Sequence, residues 1–142
     1  MHTQKAWSIL LKIAAVTAAL LILLVAVFLL GRYGWKLLGF RACQGAGISS
    51  VEVSDQAVQI TGFYPGSFPE GFCGCISREQ NGTLYVGFRF SAVFGSLVTG
   101  DFTVTIPVKG EIKQVILKTG TGETTIWLTQ SENITEEKTD DG

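Results

Sequence analysis

The residues able to do chemistry are few, and their spacing limits what that chemistry could be. The single histidine of the 142-residue chain is His2, ahead of a long apolar run. A nucleophile–histidine–carboxylate arrangement in the remainder is therefore excluded. There are three thiols: Cys43, and the pair Cys73 and Cys75 in Phe72-Cys-Gly-Cys-Ile76. A zinc site wants four nitrogen or sulfur donors, and no histidine joins these thiols. In a regular strand Cys73 and Cys75 would share one face with Cα atoms about 6.6–7 Å apart, near the outer limit for a disulfide. Such a bond would be strained and easily reduced, as thiol exchange requires. No Lys or Arg adjoins the pair to stabilise a thiolate, Arg78 being the nearest. Three readings stay open. The favoured one is small apolar side chains packed as free thiols. The others are a disulfide (within the pair, or between Cys43 and one member) and a redox or metal-binding pair. Asp101 and Glu111 could pair as acid and base, but acids at strand ends are ordinarily solvated. No glycine-rich phosphate loop precedes a helix, so no cofactor is expected.

A second candidate is the loop running from Gly62 to Phe72, with Phe63, Tyr64, Phe68 and Phe72 among prolines and glycines. Aromatics on such a loop can form a recognition surface for a peptide, a glycan or a membrane partner. Alternatively the loop folds back and its rings plug one end of a small core, which is the favoured reading.

The element ahead of these groups is apolar. Ile13 to Leu30 are 18 consecutive uncharged residues, twelve of them Leu, Ile, Val or Phe. At 1.5 Å per residue the run covers about 27 Å, close to the ~30 Å hydrocarbon layer of a bilayer. Trp7 and Lys12 flank it on one side and Arg32, Tyr33, Trp35 and Lys36 on the other, the pattern of interface anchors. A cleaved leader would have a shorter apolar core followed by small residues. Here Gly31-Arg-Tyr-Gly-Trp-Lys36 follows instead, and the expectation is an uncleaved transmembrane helix. Basic residues are nearly balanced across it. A short tail before one helix favours the tail inside and the following domain on the extracytoplasmic side.

Charge divides the chain in the same place. Five basic and no acidic residues precede position 43, and six basic and twelve acidic residues follow, giving +5 and −6. This excludes a disordered chain, a multidomain enzyme and a basic nucleic-acid-binding domain.

After residue 48 the periodicity changes to two. Residues 50–62 read as a hairpin, with Val51 and Val53 before the turn and Val58 and Ile60 after it. Asn81-Gly82 is a strong type I′ turn signal. It leads into a segment with Leu84, Val86, Phe88 and Phe90 on one face. Phe102, Val104 and Ile106 alternate with threonines before Pro107, which marks a strand end or a sheet edge. Turns at Lys109-Gly110 and Gly120-Thr-Gly122 bound two further strands. The predicted fold is one N-terminal transmembrane α-helix with an all-β domain, an antiparallel sandwich or small barrel of six to seven short strands. Its parts are a tail (1–12), the helix (13–31), a juxtamembrane linker (32–48) with a hinge at Gln44–Gly47, the β domain (49–129) and an acidic disordered tail (130–142).

The run GTLYVGFRFSAVFG and, after it, TGDFTVTIPVKGEIKQVILKTGTGETTIW resemble the C-terminal part of small membrane-anchored proteins of Gram-positive bacteria. The resemblance spans about residues 82–127. It implies an N-terminal helix, a compact β domain and an envelope setting, and it brings no catalytic or binding residue with it. The expected function is a non-enzymatic binding module at the cell membrane, with the bilayer and possible envelope proteins as partners. A thiol-based redox or sensing protein using Cys73 and Cys75 is one alternative. Another is an accessory subunit packing through Ala14, Ala15, Ala18 and Ala19.

Overall fold

The computed structural model describes residues 2–66, 70–95 and 100–129. A 32-residue helix, α1 (His2–Tyr33), opens the chain. A four-residue turn, α2 (Trp35–Leu38), and a 3₁₀ turn (Gly39–Ala42) prolong it. Between Ile9 and Leu30 the large apolar side chains of α1 are all exposed to the surroundings. The helix is long and apolar enough to cross a membrane. The hydroxyl of Thr17, inside the apolar run, donates to the Ile13 carbonyl at 2.9 Å, which leaves no polar group of that side chain unpaired.

Seven strands follow in two sheets: β1 (Gly47–Val53), β2 (Ala57–Phe63), β3 (Gly71–Gln80), β4 (Thr83–Ser91), β5 (Asp101–Pro107), β6 (Gln114–Lys118) and β7 (Glu123–Leu128). One sheet has the order β1-β2-β5 and the other β3-β4-β6-β7. Val58 and Ile60 of β2 and Phe102 and Ile106 of β5 meet Leu84, Val86, Phe88 and Phe90 of β4 and Val115 and Leu117 of β6 in one buried cluster. A sandwich results. Period-two alternation on β4 is what builds it: the even positions enter the core, while Tyr85, Gly87 and Arg89 face outward.

The turns expected from the sequence are present. Asn81 and Gly82 have φ of 52° and 75° and close the β3–β4 hairpin. Pro107 ends β5, an edge strand of its sheet, where its missing N–H costs no ladder bond. Antiparallel pairing has one exception, since β4 and β6 run parallel over Thr83–Val86 and Gln114–Leu117. The cause is topological. The chain leaves β4 for β5 in the opposite sheet, reverses there, and returns as β6 in the direction of β4.

The region expected to be a linker with a hinge is instead part of the fold. Trp35 is 6% exposed and Cys43 5% exposed. Gln44 makes a bridge to Phe88 beside the part of β4 that β6 does not reach. The expected acidic tail, residues 130–142, lies outside the described residues.

Candidate functional site

The most elaborated region is the seam between the apolar helix and the outer face of β3 and β4. Trp35, Cys43 and Cys73 form a second buried cluster there, edged by Phe40, Ala42, Ile76 and Phe94. Two glycines make the approach possible. A Cβ at Gly74 would stand 3.2 Å from Cζ2 of Trp35, and one at Gly87 would stand 2.5 Å from Sγ of Cys43 and 2.9 Å from Phe40. Mid-strand glycine commonly marks such a close approach of another segment. Gly74 also carries a φ of 157°, a conformation open to glycine, at a bulge where the β3–β4 register shifts between Phe72 and Gly74.

Polar groups at the seam are paired. The Trp35 indole N–H donates to the Arg32 carbonyl at 3.1 Å. Arg32 Nη1 donates to Sγ of Cys73 at 3.2 Å and to the Phe94 carbonyl. Arg89 Nη1 donates to the Ala42 carbonyl at 3.0 Å. Gln44 donates its backbone N–H to Phe88 O at 2.8 Å and accepts the Phe90 N–H on Oε1 at 2.9 Å. Gly120, in the β6–β7 turn, donates to the Cys43 carbonyl at 3.1 Å. The Lys118 ammonium lies over the Phe40 and Tyr85 rings, at 5.9 and 5.5 Å. Phe94 reaches from the chain after β4 to the helix itself. Its ring meets Phe28 edge-on at 5.6 Å and covers Gly31, where a Cβ would overlap it.

The bulge overturns the shared face expected for Cys73 and Cys75. Cys75, opposite Phe88, packs against the main core, while Cys73 joins Trp35 and Cys43 at the seam. All three cysteines are free thiols. Burial pushes the Cys43 thiol up to about 11, with Cys75 adding slightly and Arg89 opposing. Burial likewise raises Cys75, with Lys36 opposing. Both are protonated near neutral pH, and the thiolate is the nucleophile. Asp101 and Glu111 do not meet either. Asp101 opens β5, and Glu111 comes four residues after Pro107, the far end of that strand, which lies about 20 Å from Asp101.

The aromatic loop separates into core and surface. Phe72 stacks on Phe102 at 5.0 Å and stands 6.0 Å from Phe90. Tyr64 stacks on Phe90 at 4.3 Å. Its phenol is held above its usual range chiefly by a hydrogen bond to Glu70. These two half-buried rings pack against the end of the sandwich core. Phe63 is 45% exposed and lies over Gly47. Phe68 lies outside the described residues.

Of the expected interface anchors, Trp7, Lys12, Tyr33 and Lys36 are exposed, with the Lys36 ammonium 5.7 Å from the Tyr33 ring centroid. Trp35 is a correction, for the domain buries it. Arg32 is half-buried and directed at Cys73 and Phe94. Sequence reasoning missed the seam residues Gly74, Gly87, Gln44 and Phe94. The available sign was two glycines interrupting otherwise good strands.

Among the described residues no group of three or more His, Cys, Asp or Glu side chains could hold a metal ion. Comparison with protein-family models, curated proteins and solved structures gives no match.

Proposed function

We propose that this protein is a single-pass, membrane-anchored interaction module of the cell envelope, without a catalytic centre of its own. In this reading α1 spans the bilayer and the sandwich stands on the extracytoplasmic side. The observation that carries it is the seam. A domain that needed only tethering would hang on a polar, flexible linker. Here Trp35, Cys43, Gln44 and Arg32 fix the sandwich to the helix, so height and orientation above the lipid are set. Fixed geometry serves a protein that must meet another membrane or envelope protein at a defined place. The same contacts argue that α1 is retained, since cleavage after the apolar run would remove the Phe28 and Gly31 surface beneath Phe94. The likeness of residues 82–127 to small anchored Gram-positive proteins supports the envelope setting. A thiol-exchange role has less support: burial holds Cys43 and Cys75 protonated, and Cys73, although Arg32 donates to its Sγ, is buried in the seam.

Two measurements on intact cells test the proposal together. Protease should degrade a tag placed at the C-terminus without permeabilisation. Photo-crosslinkers on the exposed faces of Phe63 and Tyr33 should capture a reproducible protein partner. A protected tag reverses the sidedness. Crosslinks to lipid alone, combined with thiols that cycle with the redox state of the medium, would replace the binding role with the redox one.

A further inference from the structure

Phe94, in the chain after β4, packs on the end of the apolar helix. Its depth follows from one contact, given that α1 spans the bilayer as proposed above. Phe28 lies two residues before Leu30, the end of the uncharged run, and so within the last turn of the hydrocarbon-spanning part. The Phe94 ring packs on Phe28 at 5.6 Å and covers Gly31. Phe94 is therefore held at the edge of the hydrocarbon layer. Val93, next to it, is 77% exposed, among the most exposed large apolar side chains of the sandwich.

Chain entering lipid must satisfy its own N–H and C=O groups, because each left unpaired there is costly. At Val93 and Phe94 both N–H groups and one carbonyl are paired internally. The Val93 and Phe94 N–H groups both donate to Oγ of Ser91, at 3.3 and 3.1 Å. The Phe94 carbonyl accepts from Nη1 of Arg32, which also donates to Sγ of Cys73.

We infer that Val93 and Phe94 form a second membrane contact, with bilayer lipid as the occupant of the exposed Val93 face. The sandwich is then seated on the membrane at two points, the helix and this loop, and cannot swivel about the helix axis.

The test uses the full chain in vesicles of phosphatidylcholine and phosphatidylglycerol containing an acyl-chain nitroxide lipid. An environment-sensitive fluorescent amino acid replaces Val93, Ile22 or Asp55 in separate preparations. These sites are exposed, so folding should tolerate the label, and unchanged melting of each labelled chain confirms it. The expected result is loss of fluorescence to the nitroxide at 22 and at 93, deeper-labelled lipid acting best at 22, with none at 55. Quenching at 22 but not at 93 overturns the inference while leaving the anchor in place, and would point to a protein covering Val93. Quenching at neither position overturns the anchor and this inference with it.

Discussion

Gly87 shows how one missing side chain decides a larger arrangement. Its Cα faces Cys43 and Phe40 so closely that a methyl group has nowhere to go without moving the seam. Gly87→Ala should lower the stability of the full chain in detergent by about 1–3 kcal/mol through overpacking. Adding Cys43→Ala removes the Sγ that the new methyl meets, so the double variant should lose less than the two single losses added together. Additive losses in thermal melts would show that the two residues do not touch. Cys43 also sets a pH dependence. An unfolded thiol ionises near 9, whereas the folded one stays protonated up to about 11. Between those values the unfolded state binds fewer protons, so stability falls as pH rises; below pH 9 the contribution is fully present. Urea midpoints should decline across that window and the decline should shrink in Cys43→Ala. Cys75, shifted in the same direction, accounts for part of what remains.

At the scale of elements, the seam behaves as an extra strand fragment. Gln44 occupies the stretch of β4 beyond the end of β6 and satisfies the Phe90 N–H with its side chain. Gln44→Ala should leave that buried donor unpaired, costing about 1–3 kcal/mol. Hydrogen exchange reads this directly: the Phe90 amide should lose protection while Leu84 and Val86, held within the sheet, keep theirs. Equal protection at Phe90 in both proteins would mean that another acceptor replaces Gln44. The contrast between β4 and the seam explains what the sequence made readable. Leu84, Val86, Phe88 and Phe90 are two residues apart, and Asn81-Gly82 encodes its turn within two positions, so alternation and turn chemistry suffice to find them. Trp35 meets Gly74 across 39 residues and Cys43 meets Gly87 across 44, and no local period connects such partners. Trp35 read as an interface anchor because tryptophan at the end of an apolar run ordinarily is one. Here a glycine at a bulge offers it a better burial. The bulge itself shifts register by one residue, which is enough to send Cys73 and Cys75 to different clusters. The parallel β4–β6 pair was hidden for a related reason, since strand order across two sheets leaves no mark on either strand.

For the whole molecule, the consequence is where the folding unit begins. Counting strands alone, the domain starts with β1 at Gly47. Counting buried surface, it starts at the end of α1, because residues 35–44 cover the outer face of β3 and β4 and carry Trp35, which is 6% exposed. Deleting a buried aromatic side chain typically costs about 3–5 kcal/mol, against a total stability of about 5–15 kcal/mol for a domain. A chain beginning at Gly47 loses Trp35, the Cys43 contact and the Gln44 hydrogen bonds together, and leaves Cys73 and Ile76 uncovered. A chain beginning at Gly34 keeps all of these and gives up only the Arg32, Phe28 and Gly31 contacts of the helix. The expected outcome is that residues 34–142 melt cooperatively as a folded protein. Residues 47–142, despite retaining all seven strands, should melt far lower or aggregate. Equal melting temperatures for the two would show that residues 34–46 merely lie on the sandwich, and the rigid coupling between the apolar helix and the β domain would lose its physical basis.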